Sequence, residues 1–105
     1  MSTYNGWTNH ETWCVHLWLS NEEGTYRTCR EFARTAKREA PTCSQVREKI
    51  WPRSRATVFL LADAIKGFVT ESNPLTESAS VFSDLITSAL CEVNWHEIAE
   101  AFLED

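Results

Sequence analysis

Glycine and proline are scarce in this chain, three of each in 105 residues. Phosphate-cradling loops of the P-loop or dinucleotide-binding kind need several glycines close together, so both are excluded. Long apolar runs are absent too. The longest, VFLLADAI at 58–65, falls far short of the roughly 20 residues that span a bilayer. The opening MSTYNGWTNHE has no basic stretch followed by an apolar one. Neither a secretory leader nor a membrane partner is expected, and the expected location is cytoplasmic. No two of the four cysteines, at 14, 29, 43 and 91, stand in C-x-x-C spacing. Reduced thiols are expected, with Cys14 and Cys29 on buried helix faces. No segment alternates like a strand, and no G-x-S-x-G or comparable nucleophile signature occurs.

What remains is helical. With 43% hydrophobic residues the chain is globular rather than disordered, and its length suits one domain over 1–105. Asn5-Gly6 is a turn dipeptide, since both residues tolerate positive φ. Thr8 with Glu11 fits the S/T-x-x-E capping box and predicts a helix from there to about Ser20. Trp13, Cys14, Val15, Leu17, Trp18 and Leu19 sweep about 240° of its circumference, leaving only Thr12 and His16 in the gap. That pattern predicts a buried helix, with Trp13 and Trp18 in the core rather than forming a stacking platform.

The next helix has a candidate cap at Ser20, with Glu23 three residues on, although Gly24 can delay its regular start to Thr25. It runs to about Ala40, where Pro41 ends it. Tyr26, Cys29, Phe32, Ala33, Ala36 and Ala40 fall in one arc of about 120°, the expected core stripe. Thr42 with Gln45 repeats the capping pattern ahead of a short helix, SQVREKIW, which Pro52 breaks. A long apolar helix follows from Ser54 to Thr70, then a loop at 71–77. Val81, Phe82, Leu85, Ile86, Ala89, Leu90 and Val93 give the cleanest amphipathic repeat. Asn94 with Glu97 caps a last helix whose apolar side is Trp95, Ile98, Ala99, Phe102 and Leu103. The expected fold is all-α, a single small domain of five to six short helices around one core.

Few residues offer catalytic chemistry. His10 and Cys14 share a helix face, but His16 points about 160° away from Cys14, so a zinc tetrad cannot assemble there. Glu97, Glu100 and Glu104 read as a solvated helix face, with Glu97 favourable near the N-terminus. No enzyme, metal or cofactor is expected.

Charge is the strongest signal. Nine of the ten Lys and Arg lie between Arg27 and Arg55 against three acids, Glu31, Glu39 and Glu48, a local charge of +6. From Thr70 to Asp105 there are eight acids and no Lys or Arg. In the second helix Arg27, Arg30, Arg34, Lys37 and Arg38 share an arc of about 100° and a length of roughly 16 Å, with Arg30 and Arg34 expected to point away from the core stripe. Arg47, Lys49, Arg53 and Arg55 follow, with Trp51 among them. Guanidinium rows suit phosphates, and basic residues interleaved with an aromatic suit single-stranded nucleic acid. An ordinary solvated face also fits, because late cations answer the helix dipole and Glu31 can pair with Arg27 or Arg34. So does a protein partner.

Two blocks, YNGWTNHETWCVHLWLSNEEG and ASVFSDLITSALCEVNWHEIAEAFLED, resemble the ends of a family of small proteins carried by phages, plasmids and other bacterial mobile elements. The shared pattern is a G-W-T-N-x-E-T-W opening, an apolar helix ending in N-(D/E)-E-G and an N-W-x-E-I-A close, matched here by Gly6, Trp7, Thr8, Glu11, Trp13, Asn94, Trp95 and Glu97. The likeness covers about half the chain and is less clear over 25–76. It carries over no catalytic residue, and it implies a bacterial host cell. Small acidic or dipolar mobile-element proteins resemble anti-defence factors, among them inhibitors of CRISPR complexes and restriction enzymes, which act by binding. The functional expectation is therefore an anti-defence, anti-CRISPR-like protein contacting nucleic acid, single-stranded DNA first, through the basic segment. The alternative is an inhibitor whose acidic C-terminal face blocks a nucleic-acid-binding groove of a host defence complex.

Overall fold

The structure, a computed structural model, describes residues 4–75 and 79–104. Those residues form six α-helices and one 3₁₀ turn. They are α1 (His10–Asn21), α2 (Glu23–Glu39), the turn Ala40–Thr42, α3 (Ser44–Arg47), α4 (Arg53–Glu71), α5 (Val81–Cys91) and α6 (Trp95–Glu104). The all-α expectation is met. The expected loop at 71–77 lies partly outside the described residues.

Helix α4 is the centre, with α2 and α6 packed on it. Its Leu61, Ala62 and Ile65 meet Cys29, Ala33 and Ala36 of α2 and Trp95, Ile98, Ala99 and Phe102 of α6 in one buried cluster. Small residues on the facing sides let the helix axes approach closely. The α2 stripe is the one the sequence predicts: Cys29, Ala33, Ala36 and Ala40 are buried, and Tyr26 and Phe32 pack partly against them.

Helix α1 is less buried than expected, and its inward edge carries Thr12 and His16 beside Val15 and Leu19. Thr12 and Leu19 are its buried residues, His16 is half-buried and Trp18 is 68% exposed. The narrow polar gap faces the core together with one edge of the apolar arc, Val15 and Leu19, and the far edge, with Trp18, faces out. Trp13 is half-buried and sits in an aromatic group with Tyr4 and His10, ring centroids 4.9 and 5.4 Å away. His16 is no ordinary polar position, because its ring stands 4.4 Å from that of Trp7 and 5.3 Å from that of Phe102. Cys14 is only half-buried.

Hydrogen bonding explains the inward polar edge. The cap of α1 is Asn9, not Thr8: Asn9 Oδ1 accepts from the Thr12 N–H at 2.9 Å and from the Thr12 hydroxyl at 2.6 Å. The Thr12 Oγ1 in turn accepts the backbone N–H of Asn94 at 2.9 Å. Asn94 caps α6 as predicted, accepting from the Glu97 N–H at 3.1 Å. Glu97 does not reach back to its own cap, and its carboxylate accepts from the Thr8 N–H at 2.9 Å. Asn9 Nδ2 completes the lattice by donating to the Glu92 carbonyl at 2.7 Å. The starts of α1 and α6 thus satisfy each other's orphan donors across more than 80 residues of sequence, which requires the polar edge of α1 to point inward.

Other expected caps also move. Ser20 donates to the His16 carbonyl, and α2 starts at Glu23 behind Glu22 with no side-chain cap. The Thr42 hydroxyl donates to the Glu39 carbonyl, so Thr42 and Gln45 form no capping box. The predicted SQVREKIW helix stops at Arg47, where Lys49 turns left-handed at φ 62° and Ile50 and Trp51 both donate to the Gln45 carbonyl. The Asn5-Gly6 turn is as expected, with φ 49° and 89° and reciprocal bonds of 2.8 Å between Tyr4 and Trp7.

Candidate nucleic-acid interface

The ten predicted contact residues do not stand on equal terms. Arg30 belongs to the fold. Its side chain is half-buried, and Nη1 donates to the Phe102 carbonyl at 2.7 Å, covering an otherwise unpaired acceptor in the last turn of α6 where a cation is also favoured by the dipole. The helical wheel held no sign of this, since Lys37 lies nearer Tyr26 than Arg30 does and is exposed. Arg27 pairs with Glu23 and Arg34 with Glu31 on the exposed surface of α2. Such pairs are worth little and exchange readily for a stronger anion.

The remaining cations meet at one corner. Lys37 and Arg38 occupy the last turn of α2. The 3₁₀ turn and α3 then carry the chain round to α4, packing on each other and on α4. Arg47, Lys49, Arg53 and Arg55 follow, all exposed. Among the described residues none of these six forms a salt bridge, and Glu39 and Glu48 are the acids interspersed with them.

Arg53 and Arg55 stand in the first turn of α4, which holds no acid, and Pro52 at its cap offers no side-chain acceptor. The positive end of the helix dipole makes this an unfavourable place for cations and a favourable one for an anion. For Arg55 a cation–π contact with Trp51 offsets that penalty. Trp51 is half-buried, with the Arg55 guanidinium 4.8 Å above its ring and the Phe59 ring 5.3 Å away. One face of the indole is therefore already occupied by Arg55, with the Phe59 ring tilted against it at 58°. Beside it Ile50 is 63% and Phe59 45% exposed. Those two neighbours are absent from the predicted site. Phe59 lies one turn on from Arg55 in α4, which was the legible signal for the second.

Other groups offer less chemistry. Burial pushes the Cys29 thiol up to about 11, which keeps it protonated and non-nucleophilic at neutral pH. Among the described residues no three His, Cys, Asp or Glu side chains are placed to share a metal ion, and no helix is long and apolar enough to cross a membrane. Glu97, Glu100 and Glu104 line a shallow hollow of about 390 Å³ with Gly6, Trp7 and Ala101.

No curated protein and no solved structure matches the chain. A family model does, over residues 1–101, from the opening turn through most of α6. On that match the chain belongs to DUF7249, a family of unknown function.

Proposed function

We propose that this is a binding protein rather than an enzyme: an anti-defence factor of a bacterial mobile element that contacts nucleic acid, single-stranded DNA first, at the α2–α4 corner. The observation that carries the reading is the pairing of a cation–aromatic cluster, Arg55–Trp51–Phe59, with the exposed cations Arg47, Lys49 and Arg53 that flank Trp51 in sequence. Phosphates track the cations and a base extends the cluster, a combination that tolerates any sequence. Within the basic segment the contact set narrows to Lys37, Arg38, Arg47, Lys49, Trp51, Arg53 and Arg55. Arg27 and Arg34 contribute at the rim, and Arg30 does not. The mobile-element origin rests on the resemblance of the two terminal blocks. The second reading, an acidic face that occludes a basic groove, is favoured by the carboxylates around Trp7.

The test is a fluorescence-anisotropy titration of a labelled 15-nucleotide thymidine strand and a duplex of the same length over a salt series. The single strand should bind more tightly, and log K should fall by about 0.7 per phosphate contact for each tenfold rise in salt. Joint Lys49→Glu and Arg53→Glu should abolish binding without lowering the melting temperature, since an acid suits the first turn of α4. Trp51→Ala should weaken single-strand binding by about 1–3 kcal/mol. Arg30→Gln should lower the melting temperature and leave binding per folded molecule unchanged. If neither nucleic acid binds the parent at low salt, the reading fails and the acidic-face alternative takes its place.

A further inference from the structure

Helix α5 is inside out. Its buried residue is a serine, Ser83, with Ile86 and Leu90 half-buried on the same side and Val93 buried just beyond. On the opposite side Val81, Phe82 and Leu85 are 63, 67 and 62% exposed. With Ala89, also exposed, they fill an arc of about 100°. Val81, Leu85 and Ala89 repeat at i, i+4 and i+8, with Phe82 alongside. Isolated surface apolar residues are ordinary, but a continuous row along one helix marks an interaction surface. The helix is well defined without a cover, since Ser80 and Ser83 close a reciprocal capping box at its start.

Charge selects the occupant. Asp84 and Glu92 border the row and are exposed, and the chain from Thr70 to Asp105 carries eight acids with no Lys or Arg. The nearest preceding cation, Lys66, lines the cleft on the inner side of α5 with Leu90, Cys91 and Trp95. A second copy docking through the same face would set one patch whose charged border is Asp84 and Glu92 against another of the same sign, because a two-fold interface uses the same patch on both subunits. An anionic lipid surface is repelled for the same reason. A segment with apolar anchors flanked by Lys and Arg meets neither obstacle.

We propose that the outer face of α5 docks a cationic amphipathic helix of another protein, its apolar residues on Val81, Phe82, Leu85 and Ala89 and its basic residues against Asp84 and Glu92. This is helix-against-helix recognition read through i, i+4 anchors. The site is independent of the basic corner. It lies across a cleft from the C-terminal end of α4, whose 19 residues place it some 28 Å from the corner at the N-terminal end.

The experiment uses two 14-residue helical peptides with the same leucine pattern, one with lysine and one with glutamate at the remaining positions, titrated by anisotropy against the intact protein. The lysine peptide should bind at least about tenfold more tightly than the glutamate peptide. Joint Phe82→Ser and Leu85→Ser should cost it at least another tenfold, as expected for two exposed anchors. Circular dichroism should show that variant folded. Joint Asp84→Lys and Glu92→Lys leaves the anchors in place and should reverse the peptide preference, so the charge requirement is tested even if the serine variant unfolds. Equal binding of the two peptides overturns the proposal, as does lysine-peptide binding that survives both variants. A parent that sediments as a dimer and becomes monomeric on Phe82→Ser and Leu85→Ser also overturns it, in favour of a second copy.

Discussion

Helices α1 and α2 press on one ring, that of Phe102, from His16 at 5.3 Å and from Tyr26 at 6.1 Å, yet they reach it by opposite routes. In α2 the apolar stripe faces in and the charges face out, as binary patterning requires. In α1 a polar strip faces in beside Val15 and Leu19, because Thr12 finds hydrogen-bond partners there and His16 packs between the Trp7 and Phe102 rings. Burial of polar groups is affordable when each is hydrogen-bonded, and costly otherwise. The orientation of α1 is therefore set by the N-terminus of α6, while that of α2 is set by its own sequence.

Removing the shared anchor should affect both helices most. Phe102→Ala should lower stability by about 3–5 kcal/mol, the usual loss for a fully buried aromatic, measured by chemical denaturation. A loss near 1 kcal/mol would mean that the ring is not the common support.

Thr12→Val separates the two routes. By patterning alone the substitution should stabilise, since it completes an apolar helix. By the hydrogen-bond account it leaves the Asn94 N–H without its acceptor and Asn9 Oδ1 without the hydroxyl donor, costing about 1–3 kcal/mol. Stabilisation would show that the α1–α6 lattice does not orient α1.

The same contrast explains which parts were legible in the sequence. Local rules located the helices and found the Asn5-Gly6 turn, the Asn94 cap and the α2 stripe, because each depends on residues within one or two turns. The Thr8–Glu11 box failed although its spacing is correct. Glu97, 89 residues away in sequence, takes the Thr8 N–H, and Asn9 supplies the cap one position later. The α5 repeat was legible as a helix but not in its direction, since amphipathicity says that one face needs a partner without saying whether the partner is in the same chain. At the candidate interface the cations were visible as a cluster. The separation of Arg30 from its neighbours depends on where α6 ends in space, and the occupation of the Trp51 ring depends on how α4 turns Arg55 and Phe59 toward it.

The smallest effect is the sharpest statement about α1. Trp18 is the largest side chain on that helix that the core leaves out, and it lies about 120° from Thr12 on the helical wheel, on the side turned toward solvent. Its backbone carbonyl accepts weakly from Thr25 Oγ1 at 3.5 Å, a contact that survives any substitution. Trp18→Ser therefore removes a ring that makes little use of the core, and stability should change by no more than about 0.5 kcal/mol, as for surface replacements generally. The matched substitution Trp95→Ser, at a buried position, should cost several times as much. If Trp18→Ser instead unfolds the protein as readily, α1 packs its wide apolar side inward after all. The hydrogen-bonded seam would then have to be given up together with the inward placement of Thr12.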